Sequence, residues 1–179
     1  MSIAHIRKAT QGQVALENCH PFARRWMGQT WVFAHNGNLD GVIPRGDHFQ
    51  PFGSTDSEAA FCWILEQLER EAVDPEDPLQ ISARLHAYGA ELARMGTFNA
   101  LISNGQWLFA TATTRLHWLT RRAPFSTATL VDPPLQIDFA PLTSSSDVVT
   151  ILSTEPLTTD EAWTAMESGS SRLLSLIHI

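Results

Sequence analysis

The chain has 179 residues, a formal net charge of −7 and 44% apolar residues. This length suits one domain with a packed core, and the acidic balance argues against a nucleic-acid partner. No apolar run is long enough to span a membrane, so we expect no membrane association. Cys19 and Cys62 lack C-x-x-C spacing and indicate neither a disulfide framework nor a zinc site. We therefore expect a cytoplasmic protein of mixed α and β structure.

The first third of the chain is predicted to contain two strands separated by a loop. Residues 2–9 form the first predicted strand, and a second around 31–33 is predicted to stop at the turn-forming pair Asn36-Gly37. Residues 18–28 between them are predicted to be a surface loop.

The middle of the chain is predicted to hold two helices. The first begins at Thr55, because T-x-x-E at 55–58 is a capping box in which hydroxyl and carboxylate satisfy two backbone amides reciprocally. Apolar residues then recur at helical spacing from 61 to 68. The second helix is predicted over about 79–95, with Gly96 as its left-handed C-terminal cap.

After Gly96 the apolar period changes to two, which predicts strands. Asn104-Gly105 is a strong hairpin signal between predicted strands, and further strands follow. The predicted strands are 98–103, 106–111, 116–121, 127–131 and 148–153. This order favours an α+β fold with helices packed on antiparallel sheets over a doubly wound parallel sheet. We expect one domain over residues 1–173 and a non-native apolar tail over 174–179.

Three short blocks carry residues suited to amide chemistry. They are H-I-R-K-A-T at 5–10, H-N-G at 35–37 and T-D-S-E at 55–58. A guanidinium can grip a carboxylate through two hydrogen bonds, and a carboxylate can bind an ammonium. An Asn side-chain N–H beside a Gly backbone N–H can receive a developing oxyanion, with Gly supplying a tight corner of positive φ and close backbone approach. Each block alone has an ordinary structural explanation, so the prediction rests on their conjunction.

In this order the blocks resemble the class II glutamine amidotransferases, which are N-terminal-nucleophile hydrolases. The nearest subgroup is the stand-alone bacterial amidotransferases related to the γ-glutamyl hydrolase of ergothioneine biosynthesis. Segments at 98–99, 116–118, 121–125 and 154–157 also look like this subgroup. The resemblance implies a four-layer αββα sandwich of two antiparallel sheets.

The resemblance also implies a role for each site residue. Arg7 would clamp the α-carboxylate of glutamine or of a γ-glutamyl compound, Asp56 would bind the α-ammonium, and Thr10 would line the pocket. Asn36 and the Gly37 amide would form the oxyanion hole while an N-terminal cysteine attacks the γ-amide through a thioester. No cofactor or metal is implied, and any ammonia acceptor would be a separate protein.

The chain departs from the family at its start. The leading Met-Cys strand is absent, and Ser2 belongs to a different strand from the one that carries the nucleophile. We therefore expect an N-terminally truncated domain that is inactive as given. Cys19 is interpreted as a loop residue and Cys62 as a small buried one. The alternatives are a non-catalytic amino-acid or γ-glutamyl-binding module and, more weakly, an amide hydrolase that uses Ser2 or Cys19.

Overall fold

A five-stranded antiparallel sheet forms the centre of the computed structural model, which describes residues 1–5 and 15–175. Its strands are, in spatial order, β1 (Phe22–Trp26), β2 (Gln29–Leu39), β3 (Gly96–Ser103), β4 (Trp107–Ala112) and β10 (Ser170–Ser175). Short 3-10 helices at Leu16–Asn18 and Ala140–Leu142 lie in the connections. The predicted Asn104-Gly105 hairpin is confirmed as the turn between β3 and β4.

Two helices, α1 (Asp56–Arg70) and α2 (Pro78–Leu92), cover one face of this sheet. Their apolar stripes are buried against sheet aromatics, and the rings of Phe33 and Phe61 stack with centroids 5.1 Å apart. Burying such side chains is the main stabilising contribution to the fold. Within the described ranges, neither helix is long and apolar enough to cross a membrane.

A second antiparallel sheet lies against the other face of the central sheet. It consists of β5 (His117–Arg122) flanked by β8 (Val148–Ser153) and β9 (Thr164–Ala165). A small apolar cluster fills the space between the sheets and includes Ala110, Leu116, Trp118, Leu152 and Met166. A two-stranded sheet, β6 (Thr127–Thr129) and β7 (Gln136–Asp138), completes the strands of the described part. The predicted α+β class with antiparallel sheets is confirmed, and three of the four predicted layers lie within the described residues.

The prediction of a surface loop at 18–28 is wrong, because β1 occupies five of its eleven residues. Its inward face carries Phe22, Arg24 and Trp26, so a charged residue stands where a strand pattern requires an apolar one. Arg24 is accommodated by an ion pair with Glu58 of α1. The strand was missed because the pairing that neutralises Arg24 is not visible in the local sequence.

Several predicted boundaries also differ from the structure. β2 continues to Leu39 rather than stopping at Asn36-Gly37, and α2 ends at Leu92 rather than near 95. Gly96 opens β3 instead of capping α2. The position requires glycine, because its φ is +152° and a side chain there would overlap the Asn38 carbonyl.

The structure describes only part of the two predicted end segments of the chain. Residues 1–5 form no strand, and the remainder of the strand predicted at 2–9 lies outside the described residues. Leu174 pairs with Leu108 in β10, so the start of the predicted tail belongs to the central sheet. Residues 176–179 lie outside the described ranges.

Candidate functional site

The C-terminal half of β2 has one edge without a strand partner among the described residues. β1 pairs with β2 only as far as Phe33, whereas β3 pairs with it as far as Leu39. Asn36 and Gly37 lie on this half of the strand, and both are exposed. The backbone groups of this segment that point away from β3 therefore face the uncovered edge.

Hydrogen bonds on either side indicate where the Gly37 N–H points. Phe98, opposite Gly37, donates its N–H to Thr113 Oγ1 at 2.8 Å, away from β2. In an antiparallel ladder two opposite residues either exchange hydrogen bonds or both point away, so the Gly37 N–H points away from β3. Leu39, two residues on, donates its N–H in the same direction to Asp56 Oδ2 at 2.7 Å. The Gly37 N–H thus lies about 7 Å along the same edge.

Asp56 occupies the first turn of α1 and holds that turn against the end of β2. Its Oδ1 accepts from the Ser57 N–H at 2.8 Å, and its Oδ2 accepts from Leu39. The positive end of the helix dipole stabilises a carboxylate at this position. The carboxylate is half-buried and retains lone pairs for a further donor. The structure therefore brings Asp56 to the strand edge that carries Gly37.

Asn36 presents its side chain on the exposed part of the same strand. Its amide has no hydrogen-bond partner within the described ranges, so it can contact a ligand without breaking an internal bond. Arg7 and Thr10, the other two predicted site residues, lie outside the described residues.

Gly37 is required by close packing rather than by an unusual backbone angle. Its φ is not positive, so the expected positive-φ corner is wrong. The expected close approach is present: a Cβ would overlap the Thr97 carbonyl oxygen and lie 2.7 Å from His35 Nε2. Any side chain at this position would force β2 and β3 apart.

His35 is a buried residue that supports the site and was not among the predicted site residues. Its Nε2 lies 3.0 Å from the Thr97 carbonyl and its Nδ1 lies 2.9 Å from Ser57 Oγ. Because a carbonyl can only accept, Nε2 carries the proton and the Ser57 hydroxyl donates to Nδ1. Burial lowers the pKa of His35, which favours the neutral ring. The ring thus joins β2, β3 and the start of α1, and its place in the H-N-G block was the available signal.

The predicted capping box is half correct. Thr55 Oγ1 accepts from the Glu58 N–H at 3.2 Å, as predicted. The Glu58 carboxylate does not return this bond; it accepts from the N–H groups of Phe52 and Gly53 at 3.0 and 2.7 Å and pairs with Arg24. Glu58 is 1% exposed, so this buried ion pair fixes the turn that leads into α1.

Within the described part of the chain, neither cysteine thiol is hydrogen-bonded to a base that could activate it as a nucleophile. Cys62 is buried in α1, as predicted, and burial raises the pKa of its thiol. A protonated thiol is a poor nucleophile. Cys19 is exposed in a connection, where its Sγ lies 3.5 Å from the Ala15 carbonyl. Within residues 1–5 and 15–175, no three His, Cys, Asp or Glu side chains are grouped so that they could hold a metal.

Comparisons with known proteins agree with this architecture. A family model described as class-II glutamine amidotransferases matches residues 1–176. A Haemophilus influenzae protein is 49% identical over 168 residues, which cover 93% of this chain and 57% of that relative. YafJ of Escherichia coli K12 is 45% identical over 177 residues, covering 97% of this chain and 69% of YafJ. Both carry glutamine amidotransferase in their names. This chain thus spans little more than half of the first relative.

Solved structures give the same result. A crystal structure from Pseudomonas aeruginosa, also described in terms of a glutamine amidotransferase, matches with a TM-score of 0.85 and 44% identity. It covers 96% of this chain, which spans 68% of that one. The antiparallel sheets and their helices therefore define an N-terminal-nucleophile hydrolase-type fold. The chain belongs to the class-II glutamine amidotransferase family, as its motifs predicted.

Proposed function

We propose that this domain binds glutamine, or a γ-glutamyl amide, and performs the glutaminase half-reaction of the family. The observation that carries the proposal is the direction of the Gly37 N–H, which faces the uncovered edge of β2 beside the Asp56 carboxylate. The Gly37 N–H can donate to a substrate carbonyl, and the nearby Asp56 carboxylate can bind the substrate ammonium.

Each proposed role follows from the chemistry of the group. Asp56 accepts the α-ammonium of the substrate, and Arg7 holds its α-carboxylate by two hydrogen bonds. The Asn36 side-chain amide and the Gly37 N–H receive the oxyanion that forms as the γ-amide is attacked. Losing one such donor typically costs about 3–4 kcal/mol of transition-state stabilisation. Thr10 lines the same pocket.

The nucleophile is a separate part of the proposal. The reaction needs a thiolate at the γ-carbonyl, and neither Cys19 nor Cys62 has a suitable environment. We propose that residues of this chain supply the substrate cradle and the oxyanion hole, and that an N-terminal cysteine, as the family resemblance implies, acts as the nucleophile. The ammonia acceptor, where one exists, is proposed to be a separate protein.

The second candidate is a non-catalytic module that binds a free amino acid or a γ-glutamyl compound. It is favoured by the absence of an activated thiol at Cys19 and Cys62 among the described residues. The same cradle would bind the ligand whether or not a nucleophile is present. Both candidates predict binding, and neither predicts turnover by residues 1–179 alone. Ammonia release from glutamine by a protein that also carries an N-terminal cysteine would support the enzyme, and its absence would support the binding module. We expect residues 1–179 to release no ammonia from glutamine. Turnover that Asn36→Ala abolishes would show that a residue of this chain, such as Ser2 or Cys19, acts as the nucleophile.

Selective isotope labelling offers a direct test of the cradle. The sequence contains two Asn-Gly pairs, at 36–37 and 104–105. Labelling Asn at its carbonyl carbon and Gly at its nitrogen therefore yields two amide cross-peaks in a carbonyl-filtered spectrum. L-Glutamine should move the Gly37 peak and leave the Gly105 peak in place. An unmoved Gly37 peak at saturating glutamine would refute the proposal.

Analogues and variants sharpen this experiment. Glutaramate lacks the α-ammonium and 4-aminobutanamide lacks the α-carboxylate, so neither should move the Gly37 peak. Leaving a buried charge unpaired rejects such analogues. Asp56→Asn should abolish the response to glutamine, whereas the control Asp40→Asn, at an exposed carboxylate just past β2, should preserve it. Equal responses in the two variants would contradict the role of Asp56.

A further inference from the structure

We propose that Asn99 is a positioning residue whose side-chain amide fixes the Asn36–Gly37 peptide plane and so aims the Gly37 N–H at the substrate. The inference rests on the proposed function, because it assigns a cause to the direction of the oxyanion donor. Asn99 lies on β3 directly opposite Asn36 and is 3% exposed.

The hydrogen bonds of Asn99 determine the orientation of its amide. Oδ1 accepts from the N–H groups of Thr113, Thr114 and Arg115 at 2.9, 3.0 and 3.2 Å. Nδ2 donates to the Asn36 carbonyl at 3.1 Å and to Thr114 Oγ1 at 2.9 Å. Reversing the amide would set its NH₂ group against three N–H donors. The donor side of Asn99 must therefore face Asn36.

The geometry of the peptide bond transmits this contact to Gly37. The Asn36 C=O and the Gly37 N–H belong to one planar trans unit and point in opposite directions. By the alternation of the ladder, the Asn36 carbonyl also faces the backbone N–H of Asn99. Nδ2 of Asn99 adds a second, side-chain donor that holds the carbonyl towards β3, so the Gly37 N–H points towards the uncovered edge of β2. Rotating the plane away from this direction would leave the buried Nδ2 without one of its acceptors, which is costly.

Two substitutions separate this role from general structural support. Asn99→Asp keeps an oxygen for the three N–H donors of residues 113–115 but replaces the donor to the Asn36 carbonyl by a second acceptor. Thr114→Val is the matched control, because it removes the other acceptor of the same NH₂ group and leaves the contact with Asn36 intact. Thr114 is exposed, so its replacement should leave the fold unchanged.

The labelled sample with two Asn-Gly peaks tests the orientation without a ligand. Asn99→Asp should shift the Asn36–Gly37 cross-peak and leave the Asn104–Gly105 peak in place, whereas Thr114→Val should shift neither. An unchanged Gly37 peak in a folded Asn99→Asp protein would overturn the proposal. If this variant does not fold, a coupling across the hydrogen bond from Asn99 Nδ2 to the Asn36 carbonyl carbon decides: its presence in the wild type supports the proposal, and its absence overturns it.

A pair of ligands tests the consequence for binding. L-Glutamine has the γ-carbonyl that the Gly37 N–H would contact, whereas L-norvaline has the same charged groups without it. Asn99→Asp should weaken glutamine binding about fivefold to tenfold, as expected for one lost hydrogen bond, and leave norvaline binding unchanged. Equal weakening of both ligands would overturn the proposal in favour of a purely structural role. A wild-type Gly37 peak that does not move when glutamine is added would refute the proposed function. The ligand-free spectra of the variants would still test whether Asn99 orients the Gly37 N–H.

Discussion

Replacing Arg24 by Met should destabilise the protein strongly, because it leaves a buried carboxylate without its counter-charge. The Glu58 side chain is 1% exposed and that of Arg24 is 13% exposed. Breaking a buried ion pair by removing one partner costs about 3–5 kcal/mol. We expect a value near 3 kcal/mol, because the hydrogen bonds from Phe52 and Gly53 to the carboxylate remain. The melting temperature should fall by roughly 6–12 °C for a chain of this size.

Urea unfolding followed by the fluorescence of the six Trp residues measures this loss. Glu58→Gln should cost less, because Arg24 retains hydrogen bonds to backbone carbonyls, among them that of Gln50 at 3.2 Å. The double variant should lose less than the sum of the single variants, with a coupling above about 1 kcal/mol. Additive losses in the double variant would refute the reasoning.

Two further predictions concern β2. Gly37→Ala should lower the free energy of unfolding by more than about 3 kcal/mol, because its methyl group would overlap the Thr97 carbonyl. Urea unfolding measures this loss, and a value below about 1 kcal/mol would contradict the prediction. The lowered pKa of His35 should make stability full above about pH 6.5 and reduce it as pH falls through the folded-state pKa. His35→Gln should remove this contribution to the pH dependence of stability. A hydrogen bond to Glu69 raises the pKa of His48, so both proteins are compared in a His48→Gln background. An unchanged slope of unfolding free energy against pH would contradict the prediction.

Elements with a local cause could be predicted from the sequence. The start of α1 follows from the Thr55 cap, and the β3–β4 hairpin follows from its Asn104-Gly105 turn. β1 could not be predicted, because its inward Arg24 is acceptable only beside Glu58, 34 residues away. Propensity and periodicity describe neighbours along the chain, whereas this pairing depends on tertiary packing.

The candidate site divides in the same way. Residue types suited to amide chemistry identified Asn36, Gly37 and Asp56, and the structure places all three near one strand edge. The roles of these residues stay predictions. The exposure of that edge could not be predicted, because it depends on where β1 ends. The contact between Asn99 and Asn36 could not be predicted either, since the two residues lie 63 positions apart in sequence.

β2 extends beyond the end of β1, and this difference in length leaves the edge of β2 that carries Gly37 without a strand partner among the described residues. An uncovered strand edge exposes N–H groups that can pair with another chain, and proteins usually protect such edges with polar side chains or bulges. Here Asp56 takes the Leu39 N–H, and the exposed side chains of the segment are polar, with Asn36 and Asn38 flanking Gly37. Among the described residues this protection leaves the Gly37 N–H without a strand partner. A donor held in place by β3 and screened from strand pairing is suited to a small carbonyl ligand, which needs one hydrogen bond rather than a ladder.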